Sequence, residues 1–216
     1  MTKIRRPSNV GTAAQTRAYA LRADVLAPQL EAEIATFPAT PHGRPALVLV
    51  MGLPGVGKSH CARLLCERLG AAHVASDELR SRLFIAASYA DAENRAVFAA
   101  AAALVDRLLG EGHRVVVDAT NLVARNREGA VAVARRRGVP VHYVHVTAND
   151  ADARGRLASR RTSRDARDHS DADERIYERM RTQPFEPPAE GYLTLENDAE
   201  LASGIERVAS AIEASS

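Results

Sequence analysis

The sequence predicts an α/β domain built on a parallel β-sheet with helices packed on both faces. Three observations carry that expectation. Short apolar, β-branched runs alternate with helical patterns along most of the chain, which is how right-handed strand–helix–strand crossovers read in sequence. A glycine-rich turn joins the first such run to the helix after it. The acids Asp77 and Asp118 follow or end the second and third runs, at the carboxyl ends of strands, where parallel sheets bind ligands.

Taken in order, Thr12 to Phe37 carries Leu21, Val25, Leu30, Ile34 and Phe37 at near-helical spacing, with Pro28 starting a second helix or kinking one. Pro38, Pro41, Gly43 and Pro45 then mark a linker, so residues 1–45 are expected to form a helical extension and 46–216 the domain proper. The extension either packs on the domain or serves as an arm for a partner. Ala46 to Met51 reads as the first strand and Cys61 to Leu69 as the helix after it. Ala72 to Ser76 is a second, short strand, ended by Asp77-Glu78-Leu79-Arg80. A long helix is expected from Asp91 to Leu109, closed by Gly110 and Gly112. In Arg114 to Asp118 three consecutive valines mark a strand buried on both faces. Val123 to Arg137 is helical until Gly138 and Pro140, Val141 to Thr147 is the fourth strand, and Tyr192 to Glu196 the fifth.

Composition sets limits. With 216 residues, 46% of them hydrophobic, one well-buried domain plus an extension is expected. A net charge of +2 permits an anionic substrate without forming a surface that coats nucleic acid. Cys61 and Cys66 have neither metal-knuckle nor disulfide spacing and read as buried thiols of a reducing compartment. The start lacks the apolar core of a secretory signal, and no stretch reaches the ~18 apolar residues of a spanning helix. A soluble, cytoplasmic protein is the expectation.

The turn is Gly52-Leu53-Pro54-Gly55-Val56-Gly57-Lys58-Ser59. Glycines let the backbone curl so that successive N–H groups face an anion, and the next helix turns its N-terminus to the same charge. This is a phosphate-binding P-loop, with Lys58 for the β- and γ-phosphates and the Ser59 hydroxyl for Mg²⁺. Gly52, Gly55, Val56, Gly57, Lys58, Ser59 and His60 form the candidate nucleotide-binding set, with ATP as the expected ligand. Lys3 and Lys58 are the only lysines among 29 basic side chains, so position 58 has kept the compact ammonium that follows a phosphate better than a guanidinium fork.

Asp77 is either a general base for an attacking hydroxyl or a first-turn helix acid. Asp118 either anchors Mg²⁺ beside Ser59 or caps the following helix, with Thr120, Asn121 and Arg125 beside it as acceptor contacts or caps. Arg154 to Arg181 holds nine arginines against six acids. That segment is either a mobile lid over a triphosphate or a solvated pair of helices.

The P-loop, Asp77-x-x-Arg80, the run Val115 to Leu122 containing Asp118-Ala119-Thr120-Asn121, Arg125 and the later arginine-rich segment occur in the order seen in P-loop kinases. The chain resembles the group containing 5′-hydroxyl polynucleotide kinases, zeta-type toxin kinases and small-molecule alcohol kinases, over about Pro45 to Tyr177. The resemblance implies a three-layer P-loop NTPase fold with sheet order 2-3-1-4-5 and a lid at about 154–182. It implies that Lys58 and Ser59 handle ATP and Mg²⁺ and that Asp77 activates the acceptor hydroxyl. Arg80 would grip the acceptor's phosphate or polar groups, and Asp118 would support the metal side. A lid arginine would touch the donor phosphates: Arg156, Arg160, Arg161 and Arg164 have suitable spacing, and Arg160 and Arg164 are preferred. The acceptor is a small-molecule alcohol or a polynucleotide 5′-OH. The alternative class is a nucleotide-gated switch acting through the N-terminal arm, although the chain lacks the N-K-x-D motif of guanine-reading switches.

Overall fold

A computed structural model describes residues 41, 43–84, 89–160, 174–182 and 184–215. The expected helices of the N-terminal extension lie outside the described residues, as does Arg164. The chain forms β1 (Leu47–Met51), α1 (Lys58–Leu69), β2 (Ala72–Ala75), α2 (Ser76–Leu83), α3 (Asp91–Gly110) and β3 (Val115–Asp118). It continues through α4 (Ala124–Arg137), β4 (Val141–Thr147), α5 (Asp150–Arg160), α6 (Glu174–Arg181), β5 (Leu193–Glu196) and α7 (Leu201–Ala214).

The five strands are parallel and pair in the order β2-β3-β1-β4-β5. β1 is central: Leu47 is in register with Val115 on one side and Val141 on the other, and Val50 with Asp118 and Val144. Each of its residues is at most 1% exposed, which is why the strand reads as an unbroken apolar run and not as an alternating one. Successive side chains still part to opposite faces. Leu47, Leu49 and Met51 join Val115, Val117 and Tyr143 in a core closed by Val97, Leu104 and Leu108 of α3 and Val131 and Ala134 of α4. Val48 and Val50 join Val116, Val144, Val146 and Leu195 in a second core, closed by Cys61 and Leu65 of α1 and Ile205, Val208 and Ile212 of α7.

The strands lie within one residue of their expected ends, and Cys61 and Cys66 are buried free thiols as expected. Beyond the expected elements lies α7, whose buried Leu201, Ile205, Val208, Ala209 and Ile212 follow one helical face. β2 ends one residue before the expected Ser76, which opens α2 and puts Asp77 and Glu78 in the first turn, where the helix dipole favours acids. Among the described residues, no helix is long and apolar enough to cross a membrane.

Because Leu49 is 1% exposed, Leu49→Ala is expected to cost about 2–5 kcal/mol of folding free energy. Urea unfolding of the two proteins measures this, and coincident midpoints would contradict the two-face packing.

Candidate active site

The end of β1 is held from both sides before the chain enters the loop. On one side the Gly52 N–H donates to the Thr120 carbonyl at 3.1 Å, and Asn121 Nδ2 donates to the Val50 carbonyl at 2.9 Å. Asn121 is 1% exposed and takes a left-handed φ of 49°, a conformation that Asn tolerates better than most residues. Arg127, buried on α4, fixes that bend by donating to the Asn121 carbonyl at 2.6 Å and to the Glu186 carbonyl at 2.7 Å. Glu186 answers from its own segment: its N–H donates to the Leu122 carbonyl at 2.9 Å, and its carboxylate accepts the Ala124 N–H at the start of α4 at 2.6 Å.

Within the loop, Lys58 Nζ donates to the Leu53 carbonyl at 2.8 Å and closes the curl across the place where phosphate would sit. Gly57 has φ 90°, and a Cβ there would lie 2.1 Å from Asn197 Nδ2. Asn197 follows β5, is buried, and donates that Nδ2 to the Val56 carbonyl at 2.8 Å. Arg156 on α5 donates to the same carbonyl at 3.3 Å and to the Asn197 carbonyl at 3.4 Å. Helix α5, the P-loop and the end of β5 therefore meet at one peptide. Beside them a cleft opens between α5 and the β5 to α7 connection, lined by Asn149, Asp152, Gly155, Arg156, Asn197 and Asp198.

Asp118 ends β3 level with Val50 and Ala75 and is 4% exposed. Burial pushes its pKa up, but the His73 imidazole, the Lys58 ammonium and the Ser59 hydroxyl together outweigh that and hold the carboxyl below its ordinary value. His73 Nε2 lies 3.7 Å from Asp118 Oδ2, just beyond hydrogen-bond reach. Asp77 is half-buried in the first turn of α2, directly beyond β2.

The sequence-predicted residues thus divide. Lys58, Ser59, Asp77 and Asp118 share one edge of the sheet. Thr120 is half-buried beside Gly52, and His60 is exposed on α1. Arg125 is exposed on α4, whereas its neighbour Arg127 points inward. Asn121 turns its amide into the sheet and shapes the loop. Arg80 is buried against Glu93 and Asn94. Arg160 is the last residue of α5, and the α5 arginine that reaches the loop is Arg156, one turn earlier. His73, Arg127 and Asn197 escaped the sequence reading because an isolated polar residue carries no spacing signal; only the fold brings it to a partner.

A glycine loop between the central strand and the first helix, in a 2-3-1-4-5 parallel sheet with acids at the strand ends, defines the P-loop kinase class of α/β folds. The family described as AAA domain matches residues 47–188, and the chain belongs to it. The chain is similar to Chaetomium thermophilum Kti12 in complex with ADP-AlF3, at 25% identity and a TM-score of 0.60, covering 77% of this chain and 96% of that one. It is also similar to Mycobacterium tuberculosis APS kinase CysC in complex with AMPPNP and APS, at 23% identity and TM-score 0.55, covering 80% and 99%. A gluconokinase from Sinorhizobium meliloti 1021 matches at 18% identity and TM-score 0.56, covering 81% and 99%. These last two likenesses show the fold alone. No curated protein matches the chain in sequence.

Two outcomes follow from this geometry. Gly57→Ala, forced against Asn197 at a left-handed φ, is expected to weaken binding of an ATP analogue by about 5- to 150-fold, a strain of about 1–3 kcal/mol; calorimetric titration measures it, and unchanged affinity would mean that the loop does not need this conformation. A carboxyl with a lowered folded pKa contributes stability that is fully present above its ordinary value and is lost as pH falls through the folded one. The wild-type urea midpoint should therefore fall more steeply than that of Asp118→Asn below about pH 4, and parallel profiles would show that Asp118 is not ionised in the folded chain.

Proposed function

We propose that the chain is an ATP-dependent kinase that transfers the γ-phosphate of ATP to a hydroxyl acceptor. The observation that carries this reading is the convergence of the Gly52 to Ser59 loop, Asp77 and Asp118 on one sheet edge from three separate strands. Residues 46–216 are the kinase domain in this reading, with the lid at about 154–182 and residues 1–45 as an extension.

ATP enters with its phosphates on the loop N–H groups and the N-terminus of α1. Lys58 exchanges the Leu53 carbonyl for the β- and γ-phosphate oxygens, and Arg156 on α5 stands close enough to the loop to follow them. The base takes the cleft between α5 and the β5 to α7 connection. Ser59 and Asp118 suit Mg²⁺, since a hydroxyl and a carboxylate held ionised are the oxygen donors that a hard cation takes. The ion supplies charge neutralisation on the β- and γ-phosphates.

Asp77 accepts the proton of the acceptor hydroxyl as that oxygen bonds to the γ-phosphorus. The bond from the γ-phosphorus to the bridging oxygen breaks, ADP departs with that oxygen, and the proton on Asp77 later returns to solvent. Arg160 and Arg164 remain lid candidates for the transferred group, beyond Arg156 along the chain.

Labelled γ-phosphate from ATP is expected to appear on an acceptor in a panel of polyols, nucleosides and 5′-OH oligonucleotides. Asp77→Ala should lower that rate by about 10²–10⁴-fold while ATP affinity stays within about twofold. Wild-type rates in the variant would remove Asp77 as the base.

A further inference from the structure

One turn beyond Asp77 on α2 lies a buried ion pair, Arg80 with Glu93, that the chemistry above does not use. Asp77 and Arg80 are three residues apart, so their side chains leave the helix on the same side. Arg80 and Glu93 are each 6% exposed. One terminal nitrogen of Arg80 donates to Glu93 Oε1, and the other donates to Asn94 Oδ1 at 2.8 Å. The guanidinium carbon lies 4.5 Å from the centre of the Tyr89 ring. Glu93 Oε1 also accepts the Tyr89 N–H at 3.3 Å, and Asn94 Nδ2 donates to the Tyr89 carbonyl at 3.2 Å. Both ends of the arginine fork and one face of its plane are thereby taken, while Nε is buried without a hydrogen-bond partner.

We infer that the acceptor received beside Asp77 and this pair is uncharged and hydroxyl-rich and does not carry its own phosphate, an inference that rests on the kinase reading and on Asp77 as its base. Arginine binds phosphate through its open fork and its net charge; here the fork is occupied and the charge is balanced by Glu93. A phosphate brought to the pair meets the Glu93 carboxylate at short range in a medium of low dielectric, where repulsion is several times that in water. Driving Glu93 off instead leaves a buried carboxylate without its cation, the costly way to break such a pair. The neighbourhood does not compensate: along α2 and the start of α3, Asp77, Glu78, Asp91 and Glu93 stand against Arg80, Arg82 and Arg95. A hydroxyl oxygen incurs neither cost. The phosphodiester adjoining a polynucleotide 5′-OH makes that class the disfavoured one, and a neutral polyol or nucleoside the favoured one.

The test takes the full chain with its P-loop filled by AMP-PNP and Mg²⁺ and titrates it calorimetrically with inorganic phosphate. Wild type is expected to show no saturable site, Glu93→Gln to gain at least tenfold in phosphate affinity, and Arg80→Lys combined with Glu93→Gln to lose that gain. A folded Glu93→Gln protein with no gain overturns the inference. So does a wild-type phosphate site that Arg80→Lys weakens tenfold, a result independent of whether Glu93→Gln folds. In turnover on neutral polyols and nucleosides against their phosphorylated counterparts, the neutral members should react at least tenfold faster, and the reverse preference overturns the inference. Transfer to none of them counts against the kinase reading, and the phosphate titration, which needs no turnover, still decides the charge accepted beside this pair.

Discussion

Everything at the candidate site depends on how the end of β1 is held. A strand with parallel neighbours on both sides delivers its chain into the loop at a fixed height and angle, because Val50 is locked in register with Asp118 and Val144. The Gly52 to Thr120 and Asn121 to Val50 hydrogen bonds then bind the loop's origin to the segment after β3. The phosphate cradle and the acid at the end of β3 are thus parts of one rigid object. Rigidity matters because phosphoryl transfer asks a protein mainly for positioning and charge, with little covalent chemistry of its own.

The far side of the loop is governed by one peptide. The Val56 carbonyl accepts from Asn197 and from Arg156, so a residue after the last strand and a residue of α5 meet the same loop atom. Asn197 fits only because residue 57 has no Cβ. Gly57 therefore does two things: it permits a left-handed turn, and it admits a neighbour that the turn itself does not specify. This coupling gives the cleft beside Asn197 a physical route to the phosphate site.

Charge is managed in two ways. Asp118 is buried, and the His73 imidazole, the Lys58 ammonium and the Ser59 hydroxyl hold its carboxyl below the ordinary value despite that burial. Arg80 is buried and balanced by Glu93, which withholds a cation from an anion. Both carry family-motif positions, yet their surroundings give them opposite availability. No spacing rule separates the two cases, since the partners that decide them, His73 and Glu93, sit on other elements.

By itself, the sequence determined the layered α/β class, the strand positions and the phosphate loop. Continuous β-branched runs suit only strands buried on both faces, and G-x-x-x-x-G-K-S between a strand and a helix has few other uses. The helix at Leu201–Ala214 is also legible in the periodicity of its apolar residues. What the tertiary structure alone decided is which partner each polar residue meets. Arg127 is buried and donates to the Asn121 and Glu186 carbonyls while Arg125 stays exposed, Arg156 donates to the loop, and Asn121 braces the sheet. The reason is physical: local sequence fixes periodicity and turn geometry over a few residues, whereas the partner of a buried polar group is set by packing between elements far apart in the chain.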